Sequence, residues 1–72
     1  MSVARVTELS AVSENGFDEA INQAIARANQ TLRGVEGAWV KDMNVMIENG
    51  NITGYKVNLA ITFLLEDSQQ GS

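Results

Sequence analysis

From Tyr55 to Leu65 every odd-numbered residue is apolar: Tyr55, Val57, Leu59, Ile61, Phe63 and Leu65. The even positions Lys56, Asn58, Thr62 and Glu66 are polar, with Ala60 and Leu64 the exceptions. A period of two over this length predicts a strand with one buried face. Just before it stands Asn49-Gly50. That pair favours a two-residue type I′ turn, because both central positions need positive φ. The turn joins the strand to an earlier one over Val35 to Glu48, and it dictates their register. Without a bulge, Val40 lies opposite Leu59 and Ala38 opposite Ile61, on the face that also carries Val57 and Phe63. The other face then pairs Trp39 with Ala60, Met43 with Lys56, Gly37 with Thr62 and Val35 with Leu64. Asp42 falls on the parity of the first face.

What covers the first face is legible upstream. Phe17, Ala20, Ile21, Ala24, Ile25, Ala28 and Leu32 form one stripe at helical spacing, predicting a helix from Phe17 to Arg33. Asn15 or Gly16 is the expected N-cap, Asp18 and Glu19 suit the first turn, and Gly34 suits C′. The alanines predict close packing on a flat surface. Val3 to Val12 mixes β-branched and polar residues and reads as a further strand. The expected order is β-α-β-β, an α+β fold whose three-stranded antiparallel sheet wraps one helix, with strand order 1-3-2 or 1-2-3. Residues 1–67 form a single domain in this reading, and residues 68–72 (Ser-Gln-Gln-Gly-Ser) a disordered tail.

One helix covers one face only. The hairpin arms, at about 35–40 Å, also outrun a helix of about 25 Å. Trp39, Met43, Ala60 and Leu64 are therefore expected to meet something other than this chain, an interface or a ligand groove. With 72 residues, no Cys and no His, neither a disulfide nor a Cys/His zinc site is available to staple a small core. Association with further copies is the expected remedy.

Five Lys/Arg against nine Asp/Glu, without a basic cluster, argue against nucleic acid as a partner. No apolar run approaches the ~18 residues of a membrane span, and the N-terminus lacks a signal-type apolar stretch. A cytoplasmic protein is the expectation. Acid–base chemistry without His and nucleophilic chemistry without Cys are uncommon, and no phosphate-loop or nucleophile-elbow motif is present. An enzyme is not expected.

Several segments together carry a family resemblance. Around the helix these are Ser13, Phe17, Ala20, Ala24-Ile25-Ala26-Arg27-Ala28 and Thr31-Leu32-Arg33. The hairpin adds Ile47-Glu48-Asn49-Gly50, Tyr55 and Phe63-Leu64-Leu65-Glu66. With this order and spacing, from Val3 to Glu66, the chain resembles the dodecins, small β-α-β-β proteins that assemble into hollow dodecamers. The resemblance implies a homo-oligomeric, non-enzymatic shell that binds and stores a flavin, riboflavin or FMN, at subunit interfaces. In that family paired isoalloxazine rings stack between symmetry-related tryptophans, and a glutamine on the following strand bonds the ring edge.

By ungapped alignment the tryptophan position falls on Gly37 and the glutamine position on Lys56. Trp39 stands two residues later, on the same sheet face and about 7 Å along. Trp39, Gly37, Lys56 and Met43 are the candidate ligand residues. Asp42 joins them, at a position whose family equivalents approach the flavin ribityl chain. Each has a plainer reading: Trp39 as an interface anchor, Lys56 as a solvated or ion-paired lysine, Met43 as adaptable packing. The alternative function is a structural or calcium-binding shell in which Trp39 fills the pocket. Glu48-Asn49-Gly50-Asn51 lacks the spacing of a calcium loop, and the turn accounts for it.

Overall fold

The computed structural model describes residues 3–65. The expected tail lies outside them. The elements run β1 (Ala4–Ser13), α1 (Phe17–Thr31), β2 (Val35–Glu48) and β3 (Asn51–Leu64). All neighbours are antiparallel, in the order β1-β3-β2, which settles the order left open by the sequence. The strand with the strict alternation is thus central and hydrogen-bonded on both edges. Its residues Val57, Leu59 and Ile61 are wholly buried beneath the helix.

The helix meets them through Ala20, Ala24 and Ala28, spaced by four and all buried. A methyl at each contact lets the helix backbone come down close onto a flat sheet. Phe17, Ile21, Ile25 and Leu32 pack around this seam with Leu9, Ala11 and Val35. Phe17 meets Tyr55 edge-to-face at 5.2 Å between ring centroids. At the helix start Gly16 is the N-cap and has no side chain to offer. The buried Ser13 hydroxyl accepts the amides of Asn15 (2.9 Å) and Gly16 (3.4 Å). Asn15 and Gln23 both donate to the Glu19 carboxylate, at 2.6 and 3.0 Å, tying the first turns together.

The helix ends two residues earlier than the spacing suggests. Leu32 is already extended (φ −117°, ψ 147°), its amide closing the helix on the Ala28 carbonyl at 2.8 Å. Gly34 is therefore not the C′ residue. It turns the chain into β2 at φ +69°, and its carbonyl accepts the Leu64 amide at 2.9 Å. At the other end of β2, Asn49 (φ 54°) and Gly50 (φ 78°) form the expected left-handed pair.

The register departs from a regular ladder at three places. Thr53 of β3 is extra, between the pairs Met46–Gly54 and Ile47–Ile52. Lys41 of β2 is extra, between Val40–Leu59 and Asp42–Asn58. Glu36 is extra, between Val35–Phe63 and Gly37–Thr62. Each bulge inserts one residue and re-aims the side chains beyond it. Val35 consequently pairs with Phe63 instead of Leu64 and packs against the core.

The molecule is elongated, 57 × 19 × 13 Å, with a radius of gyration of 15.2 Å. A compact chain of this length would have a radius of about 11 Å. Strands of 14 residues extend about 48 Å, whereas the 15-residue helix covers about 22 Å. The helix rests mainly on β1 and β3. On β2 the residues of the helix side are themselves uncovered: Val40 and Met43 remain 42% and 52% exposed. The uncovered surface is thus larger than the sequence implied.

Candidate functional site

On the face away from the helix, each even residue of β3 stands between one residue of β1 and one of β2. These triplets form rows along the sheet: Val6–Thr62–Gly37, Glu8–Ala60–Trp39, Ser10–Asn58–Asp42 and Val12–Lys56–Asn44. Successive rows are about 7 Å apart. Trp39 is the most exposed large apolar residue of the described chain, at 75%. Beside it Gly37 leaves open space, with no atom within 4 Å of where a Cβ would be. An indole plate bordered by a gap is therefore present on one chain, as the strand parity predicts.

Two candidate residues are not where the regular register puts them. Met43 pairs with Val57, not Lys56, and sits on the helix side of the sheet. Asp42 pairs with Asn58 and takes the outer face. The Thr53 bulge causes both changes: one extra residue on β3 exchanges the faces of the β2 residues beyond it, until the second bulge, at Lys41, restores the register. Lys56 stays on the outer face but lies two rows, about 14 Å, from the Trp39 row. Trp39 and Lys56 therefore do not converge within one subunit, while Asp42 lies between them.

The shifted register also assembles a polar bar that the sequence reading missed. Asn58 Nδ2 donates to Asp42 Oδ1, and Ser10 Oγ donates to Asn58 Oδ1, linking all three strands. Lys41 Nζ reaches across β3 to Glu8 Oε2 at 2.7 Å. Ala60, paired with Glu8, is only 4% exposed although it belongs to the outer face. Through its hydrogen bond and then its charge, Glu8 raises the Lys41 pKa above the usual lysine value. Glu8, Ser10, Lys41, Asp42 and Asn58 line an open depression of about 370 Å³, one row from the indole.

Chemically, the arrangement offers an electron-rich stacking surface followed by hydrogen-bonding groups held in place by one another. Among the described residues no three His, Cys, Asp or Glu side chains gather in a way that would hold a metal ion. No described helix is long and apolar enough to cross a membrane.

Comparison with known proteins agrees with the fold and the spacing. The Dodecin family profile matches residues 3–66. The dodecin of Thermus thermophilus is 36% identical over 66 residues, 92% of this chain and 96% of that protein. The solved structure of dodecin from Streptomyces coelicolor superimposes with a TM-score of 0.86 at 37% identity, covering 90% of this chain and 93% of that one. Dodecin from Streptomyces davaonensis gives 0.86 at 31% identity, with 90% and 96% covered. With a matching profile over nearly all its length and the same β-α-β-β architecture, the chain belongs to the dodecin family.

Proposed function

We propose that this dodecin is a non-enzymatic, cytoplasmic homo-oligomer, a dodecamer, that sequesters a flavin at the seams between its subunits. The observation that carries the proposal is Trp39: an indole 75% exposed, beside the gap at Gly37, on a sheet face its own helix does not cover. An exposed aromatic plate on an uncovered sheet face marks a surface that a ligand or another subunit covers. An isoalloxazine ring is flat and electron-poor, and suits an electron-rich indole. Assembly of further copies against the uncovered outer face would close the seam over the ligand and exclude water. In this reading Trp39 supplies the plate, Gly37 the space, and Asp42 with its bar the contacts to the ring's side chain. Lys56 stands at the far end, and Met43 on the other face serves packing between subunits. Held between indoles, a flavin has its excited state quenched, which suits storage of a photoreactive compound.

A second reading rests on one departure. Trp39 is two residues beyond Gly37, where the family's tryptophan aligns, so the indole itself would fill the pocket of a flavin-free shell. Titration of riboflavin, followed by its fluorescence, separates the two. Under the flavin reading emission is quenched with micromolar or tighter affinity. Trp39→Ala abolishes the quenching while sedimentation shows the oligomer retained. Unchanged emission with the wild-type oligomer rejects flavin binding and favours the filled pocket.

A further inference from the structure

Two asparagines of the chain, Asn15 and Asn49, precede a glycine, whereas the others precede Gln, Val, Ile or Leu. An Asn-Gly pair carries its own reaction: the following amide nitrogen can reach the side-chain carbonyl carbon, and glycine has no Cβ to obstruct the approach. The fold treats the two pairs oppositely. At the helix start Asn15 Nδ2 donates to Glu19 Oε1 at 2.6 Å, and the Gly16 amide donates to Ser13 Oγ at 3.4 Å. The Gly16 carbonyl in turn accepts the Ala20 amide at 3.2 Å. Electrophile and nucleophile are both tied there. At the hairpin tip Asn49 and Gly50 are exposed. The Asn49 carbonyl accepts Asn51 Nδ2 at 3.5 Å, but among the described residues neither the Asn49 carboxamide nor the Gly50 amide has a partner. Gly50 has open space around it, with no atom within 4 Å of where a Cβ would be.

We propose that Asn49 is a self-modification site, converting to aspartate and isoaspartate, and that the hydrogen bonds at the helix start protect Asn15 from the same reaction. The Gly50 nitrogen loses its proton and bonds to Asn49 Cγ; the carboxamide C–N bond breaks, and ammonia leaves with that proton. Water then opens the five-membered imide at either carbonyl. Opening at Cγ gives aspartate. Opening at the backbone carbonyl gives isoaspartate, whose main chain runs through Cβ and Cγ. Nothing is oxidised or reduced, and water is the co-reactant. Ring closure rotates the Asn49–Gly50 peptide out of the turn, an opening that exposed hairpin ends undergo at low cost. Either product adds a negative charge next to Glu48. Isoaspartate also adds one main-chain atom to a loop whose two residues set the strand register. The Ile47–Ile52 pair beside the turn, 64% and 52% exposed, is then the first to loosen.

The experiment is a time course of the wild-type oligomer in mildly alkaline buffer, read by isoelectric focusing and by mass spectrometry of its peptides. The expected result is an acidic species that carries the added mass of a hydroxyl in place of an amide, confined to the peptide holding Asn49 and mostly isoaspartate. Asn15 converts on the order of a hundred-fold more slowly, because two hydrogen bonds hold the reacting groups and each is worth about ten-fold. Asn49→Gly keeps a residue pair suited to the turn and abolishes the acidic species. Glu19→Ala releases the Asn15 carboxamide and raises its rate about ten-fold, with Asn49 unchanged. Equal rates at the two asparagines overturn the protection assigned to the helix start. An acidic species that survives Asn49→Gly places the reaction elsewhere and overturns the site. No conversion in the oligomer, where the urea-denatured chain converts, shows that the assembled turn resists ring closure and rejects the proposal.

Discussion

Three glycines separate two costs that are usually confounded. Gly34 and Gly50 both have positive φ, +69° and +78°. A Cβ at Gly50 would meet no atom within 4 Å, whereas at Gly34 it would lie 3.2 Å from the Leu64 carbonyl oxygen and 3.4 Å from Leu64 N and Cβ. Gly37 has an ordinary strand φ and open space. Alanine in the left-handed region costs about 1–2 kcal/mol, so Gly50→Ala is expected to lose that amount. Gly34→Ala carries the same cost plus a contact with central-strand backbone, which cannot retreat without straining the 2.9 Å bond from the Leu64 amide to the Gly34 carbonyl. Weakening that bond adds about 1 kcal/mol, for a total of about 2–3 kcal/mol. Gly37→Ala should be neutral or stabilising by up to about 1 kcal/mol, through the unfolded chain. Urea unfolding of all four proteins at one subunit concentration measures the differences, provided the m-values agree. A Gly34→Ala loss no larger than that of Gly50→Ala would refute the close approach of the β2 entry to β3. A Gly37→Ala loss as large as either would refute the open space beside Trp39.

Truncating the centre of the core should be more severe. Leu59→Ala, at a wholly buried position under the alanine seam, is expected to cost about 2–5 kcal/mol in the same urea titration. Ser13→Ala removes the acceptor for two amides ahead of the helix and should cost about 1 kcal/mol. Its signature is faster amide hydrogen exchange at Asn15 and Gly16, with the β3 amides unaffected.

The helix and the hairpin are legible in the sequence because each is written in local chemistry that nothing in the tertiary structure opposes. Ala20, Ala24 and Ala28 sit at the spacing of one helix face, and all three are buried. Asn49 and Gly50 take the positive φ values their type implies, and β2 begins and ends at the residues the alternation suggests. The helix C-terminus misleads for a tertiary reason. Gly34 looks like a cap in the sequence, but it is needed two residues later, where the chain swings against Leu64. The strand order is not legible either: whether β1 joins the free edge of β2 or of β3 depends on where the helix lays the chain down. Asn58, Ser10 and Glu8 escape notice because polar residues on the outer parity read as solvated until the strands are brought together.

The errors on the candidate site are confined to one stretch, and the bulges explain both their extent and their limits. Thr53 adds a residue to β3 and Lys41 adds one to β2, so the first slides the register by one and the second restores it. Between them every pair is displaced, which turns Met43 to the helix side and Asp42 to the outer face. Beyond Lys41 the regular register returns, which is why alternation alone correctly places Trp39 opposite Ala60 and Gly37 opposite Thr62. Both bulges leave a mark in the sequence. In Val40-Lys41-Asp42-Met43 two polar residues stand consecutively between residues that face the helix, one more than alternation allows. In Thr53-Gly54 a glycine interrupts a strand, a frequent sign of a bulge or of close backbone approach, and here the space for its Cβ is taken by Val12 Cγ1 at 3.1 Å. Two insertions on opposite strands cancel at the ends of a hairpin, so a turn and an alternating pattern can both be right while the residues between them are inverted. Of those inverted residues, Asp42 completes the polar bar with Asn58 and Ser10 beside Trp39. A regular hairpin would have kept Asp42 on the helix side and set Lys41 opposite Asn58; the bulges at Thr53 and Lys41 together are what bring Asp42 and Trp39 onto the same face.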